Sequence, residues 1–356
     1  MPEPTPGAPE PAVSLRHPDG RTRRVLVTGA GGPAAVAFLR AVVGPGVDLW
    51  AVDIDPYAVG LYLVPPDRRA LVPRGDAPGF ADALAALCAE HAVDVLVPTV
   101  DTELVPLVGR RATFAAAGTT ILAPELTTLD RCLDKWDLVR VCRHLGVTPT
   151  TAVLDASFEA GYWAFPAIVK PRSGSGGRGV SVVHGPADLV GVPHDGSYIV
   201  QQLLPGVEHS IDVLGYRDGR IAAVVPRSRL KVDSGIAVAG VVSDDPRLVA
   251  VGRRVAEAIG LTSVANVQVK QDADGEPRLL EVNPRFPGSM PLTIAAGVDM
   301  PRLALADALG LPVPARVASH PVAMVRHWED VVVGVDEFAA LARPRPTVPR
   351  PQEAHA

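Results

Sequence analysis

Ala167-Ile-Val-Lys-Pro-Arg-Ser-Gly-Ser-Gly-Gly-Arg-Gly-Val-Ser-Val-Val183 joins two apolar, β-branched runs through a glycine-rich segment. Four glycines and two serines fall within the seven residues 173–179, so the pattern reads as strand, flexible loop, strand. Glycines let a backbone approach a ligand closely and turn its N–H groups toward anionic oxygens. Lys170 adds a point charge at the base of the loop, and Arg172 and Arg178 extend the positive surface. Together these point to a lid over a polyphosphate, and the bland reading is an ordinary Gly-Ser hairpin loop. It is not a Walker A loop, because no Gly-Lys-Ser/Thr follows and a strand comes next instead of a helix.

Working outward, the N-terminal third alternates strands and helices. Arg24 to Thr28 reads as a buried strand running into a glycine turn and a helix from Ala34 to Val43. A strand over 48–54, a helix over 79–91, a strand over 93–97 and another helix follow. That alternation predicts a parallel sheet with ligand crevices at the carboxyl ends of its strands. Gly29-x-Gly31-x-x-Ala34 with Asp53 matches a dinucleotide fingerprint, but the same turn serves any doubly wound sheet. Asp53, Asp55, Asp101 and Glu103 sit where such crevices form, to meet a substrate amine or simply to cap helices. Thr128 to Leu145 carries an i, i+3, i+4 apolar stripe and reads as one helix stopped by Gly146, with Lys135 on it.

Two hairpins dominate the second half. If Asp218-Gly219 is a two-residue turn, Arg227 faces Ser210 and Arg229 faces Glu208. Folding about Asp274-Gly275 puts Gln268 opposite Glu281 and Asn266 opposite Asn283, and opposed residues share a face. Oxygen-bearing side chains then cluster with one formal negative charge, and Arg285 lies just beyond. Hard oxygen donors of that kind suit Mg²⁺, which also takes oxygens from phosphates. Of the 34 lysines and arginines only four are lysine, namely Lys135, Lys170, Lys231 and Lys270. Lysine kept where arginine is the default cation marks sites that need a compact point charge.

The order of these parts resembles the ATP-grasp superfamily. The parts are Lys135, Ile-Val-Lys170-Pro with its glycine loop, Gln201-Gln-Leu-Leu-Pro-Gly-Val-Glu208, Asn-Val-Gln268 and Leu-Glu281-Val-Asn283-Pro-Arg285. The pattern is most similar to the branch around the carbamoyl phosphate synthetase large chain and related carboxylate–amine ligases, from about Arg24 to Trp328. The resemblance implies an α/β protein: a Rossmann-like parallel α/β domain (23–125), then an ATP-grasp fold of two α+β lobes (126–335) with a mobile lid over about 148–200. Tails are expected at 1–22, Pro-rich and disordered, and at 336–356. The resemblance also implies ATP and Mg²⁺ as cofactors, with two ions expected and Mn²⁺ able to substitute. Lys135 and Lys170 would bind the α- and β-phosphates under the loop of Ser173, Gly174, Ser175, Gly176, Gly177 and Gly179. Gln201 stands where the family usually has glutamate at the adenine amino group. The backbone of Gln202 and Leu204 would form the hinge, and Glu208 would hold the ribose. Gln268, Glu281 and Asn283 match the metal ligands, while Arg227, Arg229 and Arg285 resemble arginines near the γ-phosphate and acyl phosphate.

The implied activity is an ATP-dependent ligase that activates a carboxylate as an acyl phosphate and joins it to an amine. The alternatives are a relative that makes an acyl or carbamoyl phosphate or carboxylates its substrate, and a non-catalytic nucleotide binder on the same fold. Composition narrows the partners. A net formal charge of −5 without a basic run gives no footprint for nucleic acid. No apolar segment reaches the ~20 residues a membrane span needs, and residues 1–13 lack the basic start and apolar core of a signal peptide. Cys88, Cys132 and Cys142 have no metal spacing and read as packing residues in a reduced, cytoplasmic setting. The expected partners are small-molecule carboxylates and amines, with a homodimer as the family expectation.

Overall fold

The computed structural model describes residues 13–17, 19–174, 177–233 and 235–342. The first unit is built from β1 (Arg23–Val27), α1 (Pro33–Val42), β2 (Val47–Asp53), β3 (Arg69–Leu71), α2 (Phe80–Glu90), β4 (Val95–Val97), α3 (Asp101–Val108), α4 (Arg111–Ala116) and β5 (Thr120–Ile121). Its five strands pair in parallel in the order β3-β2-β1-β4-β5. β1 and β4 are wholly apolar at their centres because helices cover both faces. The turn after β1 needs glycine: Gly29 has φ +59, and a Cβ there would lie 2.4 Å from Val100 Cγ2.

The rest of the chain forms two antiparallel sheets. α5 (Leu126–Leu133) and α6 (Lys135–Cys142) lead into β6 (Thr151–Leu154), β7 (Ala167–Pro171), β8 (Ser181–Val183) and β9 (Tyr198–Gln202). These four strands pair in the order β6-β9-β7-β8 over a small core of their own, made from Leu154, Ala167, Val169, Val183, Leu189 and Val200. The larger sheet uses β10 (Glu208–Gly215), β11 (Ile221–Asp233), β12 (Ile236–Val242), β13 (Val264–Gln271) and β14 (Pro277–Asn283). Between these strands and after them come α7 (Pro246–Ile259), α8 (Met290–Ala295), α9 (Met300–Ala308), β15 (Ala323–Val325) and α10 (Val335–Ala342). The strand order is β14-β13-β10-β11-β12-β15. One face of this sheet carries α7 and α6 through an apolar cluster that includes Ile211, Val255, Ile259 and Val267. A second cluster is continuous from α1 through α8 and α9, where Phe38 meets Phe286 edge-on at 5.0 Å. The N-terminal unit is therefore welded to the larger sheet by shared apolar burial.

Three expectations need correction. The helix predicted over 128–145 is two helices, because Asp134 leaves helical geometry and its carboxylate accepts from the backbone N–H groups of Trp136 and Asp137. An N-cap of that kind competes with an uninterrupted helix. The tail predicted over 1–22 is not all tail: Val13 and Leu15 are buried in the main core, while residues 1–12 lie outside the described set. At the other end, α10 occupies part of the predicted 336–356 tail, with Phe338 stacked on Tyr57 and Tyr62 and Glu337 paired to Arg69. The three cysteines are free and buried, and burial pushes their thiols up, Cys88 to about 12 and Cys142 to about 11. No helix among the described residues is long and apolar enough to cross a membrane.

Candidate functional site

A cavity of about 710 Å³ opens where the N-terminal unit, the four-stranded sheet and the larger sheet meet. Its wall holds seven cationic side chains against three carboxylates, on a chain whose net formal charge is −5. A concave site with that local excess favours an anion.

The cations come from separate elements. The cap at Asp134 makes Lys135 the first residue of α6, and its Nζ reaches the carbonyl oxygen of Gly174 at 2.9 Å. Asp134 also takes a fork of bonds from Arg172, at 2.7–3.2 Å, tying this helix start to the base of the glycine loop. Lys170 sits on β7, is 7% exposed, and is pushed down to about 8 by burial, against the opposing pull of Glu281 and with a further push from Lys135. Ser173, Gly174 and Gly177 line the cavity. Gly179 has φ +72 and packs against Pro171 instead. Ser175 and Gly176 lie outside the described residues.

Gln201, Gln202 and Leu204 line the same wall. Gln201 is buried between β6 and β7, and its amide nitrogen donates to Thr151 Oγ1 at 3.0 Å. That commitment leaves its carbonyl oxygen as the group to meet an amine donor.

The metal-type cluster forms on β13 and β14 in the expected pairing, with Asn266 opposite Asn283 and Gln268 opposite Glu281. The turn behind it differs from the prediction. Gln271 pairs with Pro277, so five residues make the loop, and a register shift after Gln268 restores the pairing. Contacts within the cluster are long: Gln268 to Asn266 at 3.4 Å and Asn283 to Glu281 at 3.5 Å. Oxygens held that loosely fit a hard cation such as Mg²⁺. Among the described residues no group of three or more His, Cys, Asp or Glu could hold a metal, so a cation here would draw part of its shell from a bound phosphate.

All three expected arginines line the cavity, and each is paired to a carboxylate. Arg227 is 2% exposed and forks onto Asp212 at 2.9 and 2.6 Å. Arg229 meets Glu208 at 3.2 Å, as the register of β10 and β11 expects. Arg285 forks onto Asp101 at 2.7 and 2.9 Å, a contact between the larger sheet and α3. An arginine has five N–H donors, so each keeps some for a ligand.

Sequence reasoning missed Asp212. It is fully buried and also accepts from Asn266 Nδ2 at 2.7 Å and from Thr293 Oγ1. It fixes Arg227 and Asn266 from below; its place inside an apolar strand was the only available signal. The N-cap residues of α1 to α4 make no side-chain cap bond, but Glu103 reaches back to the backbone N–H groups of Thr99 and Val100 at the start of α3. Asp53 accepts from Gly31 N at 2.8 Å and from Asp55 N at 2.9 Å, which engages the acid that a dinucleotide ribose would need. Glu103 is buried against Thr28, and burial pushes its carboxyl up to about 7.

Comparison with known proteins finds relatives for both parts of the chain. Residues 194–331 match the family described as ATP-grasp in the biosynthetic pathway with Ter operon, and residues 25–122 match the PylC-like N-terminal domain. A D-alanine–D-alanine ligase of Stutzerimonas stutzeri is 29% identical over 218 residues, covering 53% of this chain and 66% of that protein. The carbamoyl phosphate synthase large chain of Xylella fastidiosa is 27% identical over 255 residues, covering 63% of this chain and 23% of that one. The chain thus spans under two thirds of the curated relatives' length. Biotin carboxylase of Campylobacter jejuni superposes with a TM-score of 0.70 at 18% identity, over 83% of this chain and 73% of that structure. L-amino acid ligase of Bacillus licheniformis gives 0.62 at 17%, over 81% and 74%. The chain thus carries a segment that matches an ATP-grasp family model, preceded by a segment that matches the PylC-like N-terminal domain.

Proposed function

We propose that the chain is an ATP-dependent ligase that joins a small-molecule carboxylate to an amine through an acyl phosphate, releasing ADP and phosphate. The observation that carries this is the meeting of Lys135, Lys170, Arg285 and the Gln268–Glu281–Asn283 cluster on one cavity wall. The ligase reading rests on identity, 29% to the D-alanine–D-alanine ligase against 27% to the carbamoyl phosphate synthase large chain, although the latter matches more of this chain, 63% against 53%.

A carboxylate and a triphosphate repel each other, so positive charge must be supplied where negative charge spreads in the transition state. Lys135 and Lys170 would hold the phosphate chain, and the Gln201 carbonyl the adenine amine. Mg²⁺ held by Gln268, Glu281 and Asn283 would neutralise phosphate oxygens. The substrate carboxylate oxygen then attacks the γ-phosphorus and ADP leaves. Arg285, oriented by Asp101, would steady the acyl oxygen while the amine displaces phosphate. Because water destroys an acyl phosphate, the small sheet that carries the glycine loop would cover the cavity during the reaction. Its separate core lets it move as a unit.

The test is a screen of carboxylate and amine pairs for ADP formation, with mass spectrometry of the product. An amide-linked product formed with ADP supports the reading. Carboxylation of a substrate by bicarbonate, or nucleotide binding without turnover across the screen, would replace it.

A further inference from the structure

A second cavity, of about 440 Å³, is lined by residues of the edge strand β5 of the N-terminal unit and by residues of the second half of the chain. Arg111 enters its wall from the first turn of α4, Arg217 from the turn between β10 and β11, and Ser263 from the segment before β13. Arg111 is braced by the carbonyl oxygens of Ile121, Ala123 and Pro124 at 2.9–3.0 Å. Its Nε is buried with no hydrogen-bond partner among the described residues. The same holds for Ser263 Oγ, on a residue only 3% exposed.

Leaving a buried donor unpaired is unfavourable, and two such atoms here belong to residues of one cavity wall. Charge gives the sign of what would satisfy them. The wall has two guanidiniums and one carboxylate, Glu125, which is 58% exposed and stands 3.7 Å from Arg111. Asp307 lies behind, occupied by the backbone N–H of Arg217. Arg217 is exposed and spends one donor on the carbonyl of Ala308 at 3.2 Å, which keeps most of its fork available.

We propose that this cavity is a second binding site, for a small anion carrying a carboxylate or phosphate group. The ligand would bridge Arg111 of the N-terminal unit to Arg217 and Ser263 of the larger sheet. It is separate from the magnesium nucleotide cavity and shares no lining residue with it.

Inorganic phosphate and succinate, titrated separately into the full chain by calorimetry, distinguish the two anion types. Arg217→Ala and Ser263→Ala should each weaken the preferred anion about tenfold or more. Lys170→Ala, which acts in the other cavity, should leave this binding unchanged. Arg111 is avoided as a probe because its three carbonyl bonds hold the β5–α5 connection. Binding that disappears in Lys170→Ala but persists in Arg217→Ala would overturn the proposal, as would no binding of either anion to the unmodified chain.

Discussion

At the scale of single residues, Lys170 holds a charge that its burial opposes. Its ammonium is pushed down to about 8 by desolvation, while Glu281 pulls the other way. The folded value lies below the ordinary 10.5, so the buried charge costs stability below pH 8, and that cost is relieved between pH 8 and 10.5. Phosphate binding needs the charged form. ATP affinity, measured by calorimetry between pH 6.5 and 9.5, should therefore be highest below pH 8 and fall above it. Lys170→Arg, charged throughout, should flatten that profile; an unchanged profile would remove Lys170 from the phosphate contact. Glu103 works in the opposite sense. Its folded value of about 7 exceeds the ordinary 4.5, so its contribution favours folding below pH 4.5 and is lost as pH rises through 7. The urea unfolding free energy should decline across that window, and Glu103→Gln, which can still accept from Thr28, should remove the decline. An identical slope in both proteins would contradict the assignment.

At the scale of elements, the break at Asp134 does more than end a helix. It makes Lys135 the first residue of α6 and docks Arg172 beside the glycine loop. Asp134→Ala should cost about 1–2 kcal/mol in urea unfolding, from the lost cap and a half-exposed ion pair, and should weaken ATP binding by moving Lys135. Asp134→Asn keeps cap acceptance and should retain most of the stability. Equal losses in the two variants would show that the cap contributes nothing. Element scale is also where the sequence was most and least legible. Alternation along Asn266, Gln268 and Lys270 announced a strand with a polar face, and folding about Asp274-Gly275 gave the Gln268–Glu281 pairing although the turn was misread. A longer loop and a compensating bulge, invisible in a residue pattern, cancelled each other. The Leu129–Leu145 stripe concealed the helix break, because apolar periodicity runs through a cap without registering it.

At the scale of the molecule, two units share one apolar core through Phe38 and Phe286, and ion pairs that include Asp101 with Arg285. Neither was readable from the sequence, since contacts between residues 184 positions apart leave no local signal. The same is true of Asp212, whose neighbours come from three different elements. What did carry through was chemistry at fixed spacing. Three of the four lysines (exposed Lys231 is the exception), part of the glycine loop and a Glu-x-Asn strand end line one cavity. On the proposed function, that convergence would make one site for nucleotide and cation together.

The most direct measurement is calorimetric titration of a non-hydrolysable ATP analogue, with and without Mg²⁺, into the unmodified chain, Lys170→Ala and Glu281→Ala. The account predicts tighter binding with Mg²⁺ in the unmodified chain, binding about tenfold weaker or worse in Lys170→Ala, and loss of the Mg²⁺ enhancement in Glu281→Ala. Equal affinity in all three proteins, or no nucleotide binding by the unmodified chain, would contradict it.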